Sequence, residues 1–216
     1  MEKKNFVIAY SGGKDSTLAI DRMIKDGFTC TALIILLSKN GHFSHMHGLD
    51  NYYINEIEQC LDIPVIRVNT EEKHDFKNLK NSLINVKTKY NANYACFGDI
   101  DQIGMKNFNS KLARDCGLTP VFPLWKNDRE QILKEVLDLD YKCCIKVIDS
   151  TLLPEDLLGK ILDEKMIEVF KSKDIDVCGE NGEYHTLVID GPIFKKPITL
   201  NSHLVKKVKD KYSILL

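Results

Sequence analysis

The first half of the chain alternates short apolar runs with longer segments of helical periodicity. Apolar runs of strand length occur at 6–10, 31–37, 64–68, 94–97 and 120–122. They contain many β-branched residues and no polar alternation, a pattern typical of strands buried on both faces. Because such strands alternate with helices, the sequence predicts an α/β fold, with a doubly wound parallel sheet.

Three stretches between these strands place apolar residues along one face of a helix. Two of them run along 53–61 and 76–86. The remaining stretch, which comes first in the chain, ends before Gly27. Glycine is common just past the end of a helix. The apolar stripe of this stretch consists of Ala19, Ile20, Met23 and Ile24.

The pattern changes near residue 125. A helix is predicted to begin at Asp128, a strand to run along 141–149, and a short helix to lie near Pro154. A longer helix is predicted from Gly159 to Phe170, and the partial period-two alternation of 197–216 indicates antiparallel strands. We therefore predict two tightly packed domains, an α/β domain at 1–125 and a smaller C-terminal α+β domain at 126–216.

Composition excludes several classes of function. The 216 residues are 44% hydrophobic and 28% charged, with a formal net charge of −1, so no global field attracts nucleic acid or an anionic membrane. No apolar run reaches membrane-spanning length, and the one near the N-terminus is too short for a signal-peptide core. The seven cysteines include no C-x-x-C pair. A reduced, cytoplasmic environment is therefore expected.

The segment "SGGKDS", residues 11–16, lies between the first strand and the first helix. Its two glycines allow a sharp turn and close approach of backbone N–H groups to a ligand. The helix start adds a positive dipole end, and the lysine and serine side chains add further donors. The spacing matches neither G-x-x-x-x-G-K-[ST] nor G-x-G-x-x-G. These features predict an anion site of the size of pyrophosphate.

"SGGKDS" resembles the PP-loop signature of the ATP pyrophosphatase superfamily, whose α/β fold is Rossmann-like (the HUP type). The resemblance implies binding of ATP and its cleavage to AMP and pyrophosphate, with adenylation of a substrate. It implies that Lys14 and Asp15 act in catalysis and that Asp15 and Asp99 hold Mg²⁺. The nucleotide-binding residues it implies are Ser11, Gly12, Gly13, Lys14, Asp15, Ser16, Gly98 and Asp99.

A second segment, "GENGEYHTLVIDGPIFKKPI" at 179–198, resembles the hallmark of the diphthine–ammonia ligase family. The family carries a second glycine where this chain has Asn181, a residue type that tolerates left-handed backbone geometry. The resemblance covers essentially the whole chain. It implies that Glu180 and Glu183 take part in catalysis. The substrate-binding residues it implies are Gly179, Glu180, Asn181, Gly182, Glu183, Tyr184, His185 and Thr186. His47 is expected to line the nucleotide or acceptor pocket because it lies at the carboxyl edge of the predicted sheet.

Some residues after the fourth predicted strand depart from the family pattern. The segment 98–114 begins with "GDID", with Asp99 where members acting on diphthine have alanine, and it lacks their Tyr-Gln pair. This difference predicts an acceptor other than diphthine. Asp99 or Asp101 could join Asp15 around Mg²⁺ or cap the following helix. The three histidines at 42, 45 and 47 could bind zinc, but no cysteine or carboxylate of matching spacing accompanies them.

We therefore expect an ATP-dependent ligase that adenylates a carboxylate or carbonyl acceptor and then amidates it with ammonia or another amine. One alternative is thiolation of the adenylated acceptor by a sulfur donor. Another is an adenine-nucleotide sensor without catalysis. The sequence identifies neither the acceptor nor the donor, and it leaves the oligomeric state open, including a homodimer.

Overall fold

Five parallel strands form the first sheet, in the order β3-β2-β1-β4-β5. The computed structural model describes residues 4–38, 44, 47–69, 76–201, 204–208 and 211–215. Each strand agrees with a predicted strand to within two residues, which confirms the doubly wound parallel sheet. The strands are β1 Asn5–Ala9, β2 Thr29–Leu37, β3 Val65–Asn69, β4 Tyr94–Cys96 and β5 Thr119–Val121.

Helices connect these strands and cover both faces of the sheet: α1 Lys14–Lys25, α2 Asn51–Leu61, α3 Phe76–Lys89 and α4 Ile103–Asp115. Phe6 and Ile8 of β1 belong to one apolar cluster and Val7 to another, so this strand is buried on both sides. Ile24 was predicted in the buried stripe of α1, but it is 41% exposed. It lies about 100° around the helix from Met23, at the margin of the buried face.

The centre of this sheet is the point at which the strand order reverses. β1 pairs with β2 on one side and with β4 on the other. Parallel sheets bind ligands in the crevice beyond the carboxyl ends of the strands at such a point. The segment 11–16 follows β1, and the segment 98–101 follows β4. The fold therefore brings two segments that the sequence singled out to the same crevice.

The second sheet is smaller and antiparallel, with the order β7-β6-β9-β8. Two helices and a 3-10 turn at Glu155–Leu157 accompany it. This confirms the expected smaller α+β part. Its elements are α5 Arg129–Asp138, β6 Lys142–Asp149, α6 Glu164–Ser172, β7 Tyr184–Asp190, β8 Val205–Val208 and β9 Tyr212–Leu215.

The prediction of a helix from Gly159 was wrong at its start. Ile161 instead forms an antiparallel bridge with Cys144, and α6 begins only after Asp163. The Asp163 side chain accepts a hydrogen bond from the Met166 N–H at 2.8 Å, which satisfies a backbone donor of the first turn. This cap fixes where the helix begins, and the preceding residues extend the edge of the sheet.

Both sheets share one apolar core. Leu124, Ile132 and Val136 belong to the same buried cluster as residues of β1 and β7. Arg22 of α1 also pairs with Glu135 of α5. The division near residue 125 stays a prediction. None of the helices within the described part of the chain has the length and apolarity that crossing a bilayer requires.

Candidate active site

The loop after β1 is held in shape by its own hydrogen bonds. Gly12 has a φ of 83°, in the left-handed region that glycine favours. The Ser11 hydroxyl lies 3.1 Å from the Ser16 hydroxyl and accepts a hydrogen bond from the Gly13 N–H at 3.2 Å. No side chain caps α1 at Gly13. The Lys14 N–H is taken by the Thr186 hydroxyl, so an anion would meet the remaining N–H groups of the first turn, and the anion site stays a prediction.

The loop 11–16 (the phosphate loop) is in direct contact with the segment 179–198 (the second motif). The Lys14 N–H donates to the Thr186 hydroxyl at 3.1 Å. The Val188 N–H donates to the carbonyl of Gly12 at 2.8 Å. His47 Nδ1 lies 2.8 Å from the carbonyl oxygen of Thr186. The two glycine-rich segments, far apart in sequence, thus form the walls of one site.

The Lys14 side chain lies between the two segments. It is 4% exposed, and its Nζ donates to Asp15 at 2.9 Å and to the Cys178 carbonyl. Burial is the largest single effect and lowers the pKa of Lys14, but Asp15, Tyr184 and Cys178 together raise it further, so the pKa lies well above its ordinary value. Lys14 is therefore a buried cation that joins α1 to the second motif. Asp15 Oδ1 is buried without a hydrogen-bond partner among the described residues.

Glu183 closes the loop of the second motif on itself. Its carboxylate accepts hydrogen bonds from the Asn181 backbone and side chain, each at 3.1 Å, and from the Asp176 N–H at 3.4 Å. Gly179 and Gly182 have positive φ values of 70° and 88°. Asn181 has no positive φ, so the tolerance of asparagine for left-handed geometry is not used here, and its side-chain amide donates to Glu183.

Glu180 lies on the side of this loop that faces α1. Burial and the nearby Asp15 carboxylate raise the pKa of Glu180 to about 7, against the lowering effect of Lys14 and Arg129. A carboxyl group with a pKa near neutrality exchanges protons readily at physiological pH. Glu180 therefore has the protonation behaviour of a general base or acid.

His47 and His185 form a close pair beside the phosphate loop. Their ring centroids lie 4.8 Å apart. Burial lowers the pKa of His47, and burial followed by the neighbouring His47 and Lys14 lowers the pKa of His185 to about 3. Both rings are therefore neutral at physiological pH. The other two histidines of the proposed zinc cluster, at 42 and 45, lie outside the described residues.

A small cavity of about 160 Å³ opens beside this histidine pair. It lies beyond the carboxyl ends of β1 and β2. Its lining is mainly apolar, and the residues are Ala9, Tyr10, Ser11, Ile34, Ile35, Leu36, Ser44 and His47.

The segment after β4 packs directly onto the first turn of α1. A Cβ on Gly98 would lie 3.1 Å from the backbone nitrogen of Ser16, tighter than ordinary van der Waals contact, so glycine favours this close approach. Asp99 accepts a hydrogen bond from the Asn109 side chain at 2.8 Å, and burial raises the pKa of Asp99. Neither Asp99 nor Asp101 caps α4, whose N-cap is Gln102. Within the described ranges, no three or more potential metal ligands cluster.

Arg129 and Asp176 are contacts of this site that sequence reasoning missed. Arg129 is the first residue of α5, and it pairs with Asp101 and Asp176. No local pattern predicts this, since the partners lie 28 and 47 positions away from Arg129.

Comparison with known proteins assigns both halves of the chain to one family. Residues 4–120 match the diphthamide synthase N-terminal domain, and residues 128–214 match the diphthamide synthase C-terminal domain. The diphthine–ammonia ligase of Mus musculus is 28% identical over 89% of this chain and 81% of its own length. That of Homo sapiens is 36% identical over 50% of this chain and 40% of its own length.

A solved structure from Methanocaldococcus jannaschii, described as a "predicted subunit of tRNA methyltransferase", aligns with a TM-score of 0.45 and 15% identity. The alignment covers 90% of this chain and 100% of that one. So weak a likeness carries no information about function. The two family matches together span nearly the whole sequence, and the chain therefore belongs to the diphthamide synthase family.

Proposed function

We propose that this protein is an ATP-dependent carbon–nitrogen ligase that forms AMP and pyrophosphate. The observation that carries the proposal is the contact between the phosphate loop and the second motif, through Lys14 and Thr186. A site built in this way holds the α-phosphate of ATP beside residues that can bind an acceptor. The names of the ligase relatives support the same chemistry.

The phosphate side of the site is the loop 11–16 with the start of α1. Its N–H groups and hydroxyls bind the β- and γ-phosphates, which leave as pyrophosphate. The apolar cavity beside Ser11 and His47 holds the adenine base. The residues also fit Mg²⁺: Asp15 Oδ1 is buried without a partner, and Asp99 lies on the segment packed against α1. Mg²⁺ would be held by these two carboxylates and the phosphates, and would offset their charge.

The acceptor side is the segment 179–186, which consists of a loop and the first residues of β7. A carboxylate oxygen of the acceptor attacks the α-phosphorus, the bond to the bridging oxygen breaks, and pyrophosphate leaves. Ammonia then attacks the acyl carbon, the bond to AMP breaks, and the nitrogen loses a proton. Glu180, with a pKa near 7, takes that proton. Glu183 keeps the loop in shape, and Tyr184, His185 and the neutral His47 complete the wall.

Two lines of reasoning about the identity of the acceptor disagree. The relatives are named for diphthine, whereas the "GDID" segment predicts a different carboxylate. Asp99 and Asp101 of this segment contact Asn109 and Arg129, so the segment lies close to the acceptor side. The relatives' names do not favour thiolation or a non-catalytic sensor.

The experiment that tests the proposal incubates the protein with ATP, Mg²⁺, ammonium and a diphthine-bearing substrate, then with a panel of other carboxylates. We expect AMP and pyrophosphate in equal amounts, with release dependent on ammonium. Hydroxylamine in place of ammonium should trap the activated acceptor as a hydroxamate. Dependence on sulfide instead of ammonium would support thiolation. Tight ATP binding with no pyrophosphate from any acceptor would support a sensor and contradict a ligase.

A further inference from the structure

The Arg129 side chain joins two segments that border the acceptor side. Its Nε and one terminal nitrogen each donate to a different oxygen of Asp101 at 2.9 Å, so the pair is bidentate. The other terminal nitrogen donates to Asp176. Asp101 belongs to the segment after β4, and Asp176 lies just before the second motif. One guanidinium therefore connects the two.

Asp176 shapes the turn that carries Glu180. It is 8% exposed. One of its oxygens accepts the Cys178 N–H and the other accepts the Glu180 N–H, both at 3.0 Å. The carbonyl of Cys178 in turn accepts a hydrogen bond from Lys14. A displacement of Asp176 would therefore move the backbone of Glu180 and its link to α1.

Two further contacts tie the same parts together. The Gln102 side chain donates to the Glu180 carbonyl at 3.3 Å. The Cys178 thiol donates to the Arg129 carbonyl at 3.1 Å. The segment after β4, the start of α5 and the second motif thus form a single hydrogen-bonded unit, in which Arg129 contacts both flanking carboxylates.

We propose that Arg129 is a positioning residue of the ligase, which holds Glu180 against the phosphate loop by fixing Asp176 to Asp101. This inference rests on the proposed function. It also gives the unusual "GDID" segment a role, because Asp101 acts on the acceptor side through Arg129. A planar guanidinium can satisfy two carboxylates at once, and a lysine ammonium cannot reproduce that fork. Arg129 is 30% exposed but the Asp176 side chain is only 8% exposed, so loss of the guanidinium leaves a largely buried carboxylate without its cation.

The test compares Arg129→Gln and Arg129→Lys with a matched control, Arg22→Gln. Arg22 also pairs with a carboxylate at α5 and is 24% exposed, and its described hydrogen bonds go to Glu135, Asn127 and the Pro123 carbonyl. We expect Arg129→Gln to lower kcat roughly 10- to 100-fold, as small misplacements of reacting groups do, while KM for ATP changes less than about twofold. Arg129→Lys should recover only part of kcat, and Arg22→Gln should keep kcat near that of the wild type.

Amide hydrogen exchange in 176–183 gives a readout that does not depend on turnover. We expect Arg129→Gln to speed exchange at Cys178 and Glu180, and Arg22→Gln to leave it unchanged. Asp101→Asn should reproduce the effect and add little to Arg129→Gln in the double variant. Equal exchange and equal kcat in the Arg129 and Arg22 variants would overturn the positioning role. A wild type that forms no AMP would instead overturn the ligase, and the exchange data would still decide the role of Arg129.

Discussion

The Lys14 backbone N–H and the Thr186 hydroxyl, 172 positions apart, are joined by a buried 3.1 Å hydrogen bond. Lys14 opens the helix that follows the phosphate loop, and Thr186 lies in the strand that follows the acceptor loop. A hydroxyl that caps a helix from another sheet fixes the distance between the two loops. The loop 11–16 and the segment 179–186 are therefore held together as one unit.

Replacing Thr186 tests this joint directly. Thr186→Val keeps the shape and removes the acceptor, leaving the Lys14 N–H buried without a partner. We expect a loss of about 1–2 kcal/mol in the free energy of unfolding, measured with urea. Thr186→Ser keeps the hydroxyl and serves as the control, with a smaller loss. Equal losses in the two variants would show that the hydrogen bond contributes nothing beyond packing.

Asp15 is expected to be essential for turnover. We expect Asp15→Asn, which preserves size, to lower pyrophosphate release roughly 100-fold or more, as does loss of one preorganised electrostatic group. Asp26→Asn removes a charge at the other end of α1 and is the control. Pyrophosphate release at the wild-type rate from Asp15→Asn would contradict its assignment.

Gly13 lies against His47. Its φ of −84° suits any residue, so an added methyl group causes no backbone strain. A Cβ there would however lie 2.6 Å from His47 Cε1. We expect Gly13→Ala to lower the free energy of unfolding by about 1–3 kcal/mol, as overpacking does. When His47→Ala is already present, adding Gly13→Ala should cost little further free energy of unfolding. Additive costs in the cycle would show that the two residues do not press on each other.

The neutral histidine pair predicts loss of stability in acid. The pKa of His185 is lowered by burial to about 3, and that of His47 is lowered as well. Above the ordinary histidine pKa of 6.5, both states are neutral and the full stability is present. As pH falls below that value, the unfolded chain gains protons that the folded chain resists, so the free energy of unfolding decreases.

Urea titrations between pH 7.5 and 4.5 measure this dependence. Since other groups titrate equally in both proteins, the difference between wild type and His185→Gln isolates the pair. We expect the variant to lose less stability across this range. Parallel curves would show that His185 does not resist protonation in the fold.

The sequence predicted the first sheet and the turn at 11–16 well because both depend on local patterns. Apolar runs buried on both faces set the strands, and a glycine pair between strand and helix marked the segment 11–16. The predicted start of α6 was wrong because the apolar spacing of the helix also continues into the residues before its cap at Asp163. In that case a local capping signal outweighed periodicity.

Side-chain partnerships were beyond reach because they depend on tertiary contacts. The expectation that Lys14 adds charge to the phosphates stays a prediction, but no local pattern indicated that its side chain is buried against Asp15 and Cys178. Glu183 was expected on the acceptor side, and its carboxylate accepts a hydrogen bond from the backbone of its own loop. Arg129 carried no signal at all. Each of these depends on segments that meet only once both sheets have formed.

The most direct test of a shared ATP and acceptor site is a crystal structure with Mg²⁺ and α,β-methylene-ATP, which cannot release pyrophosphate. We expect the β- and γ-phosphates on the N–H groups of residues 11–16, and the α-phosphate facing Glu180. Phosphates bound elsewhere, or an α-phosphate directed away from the loop 179–186, would contradict the ligase site described here.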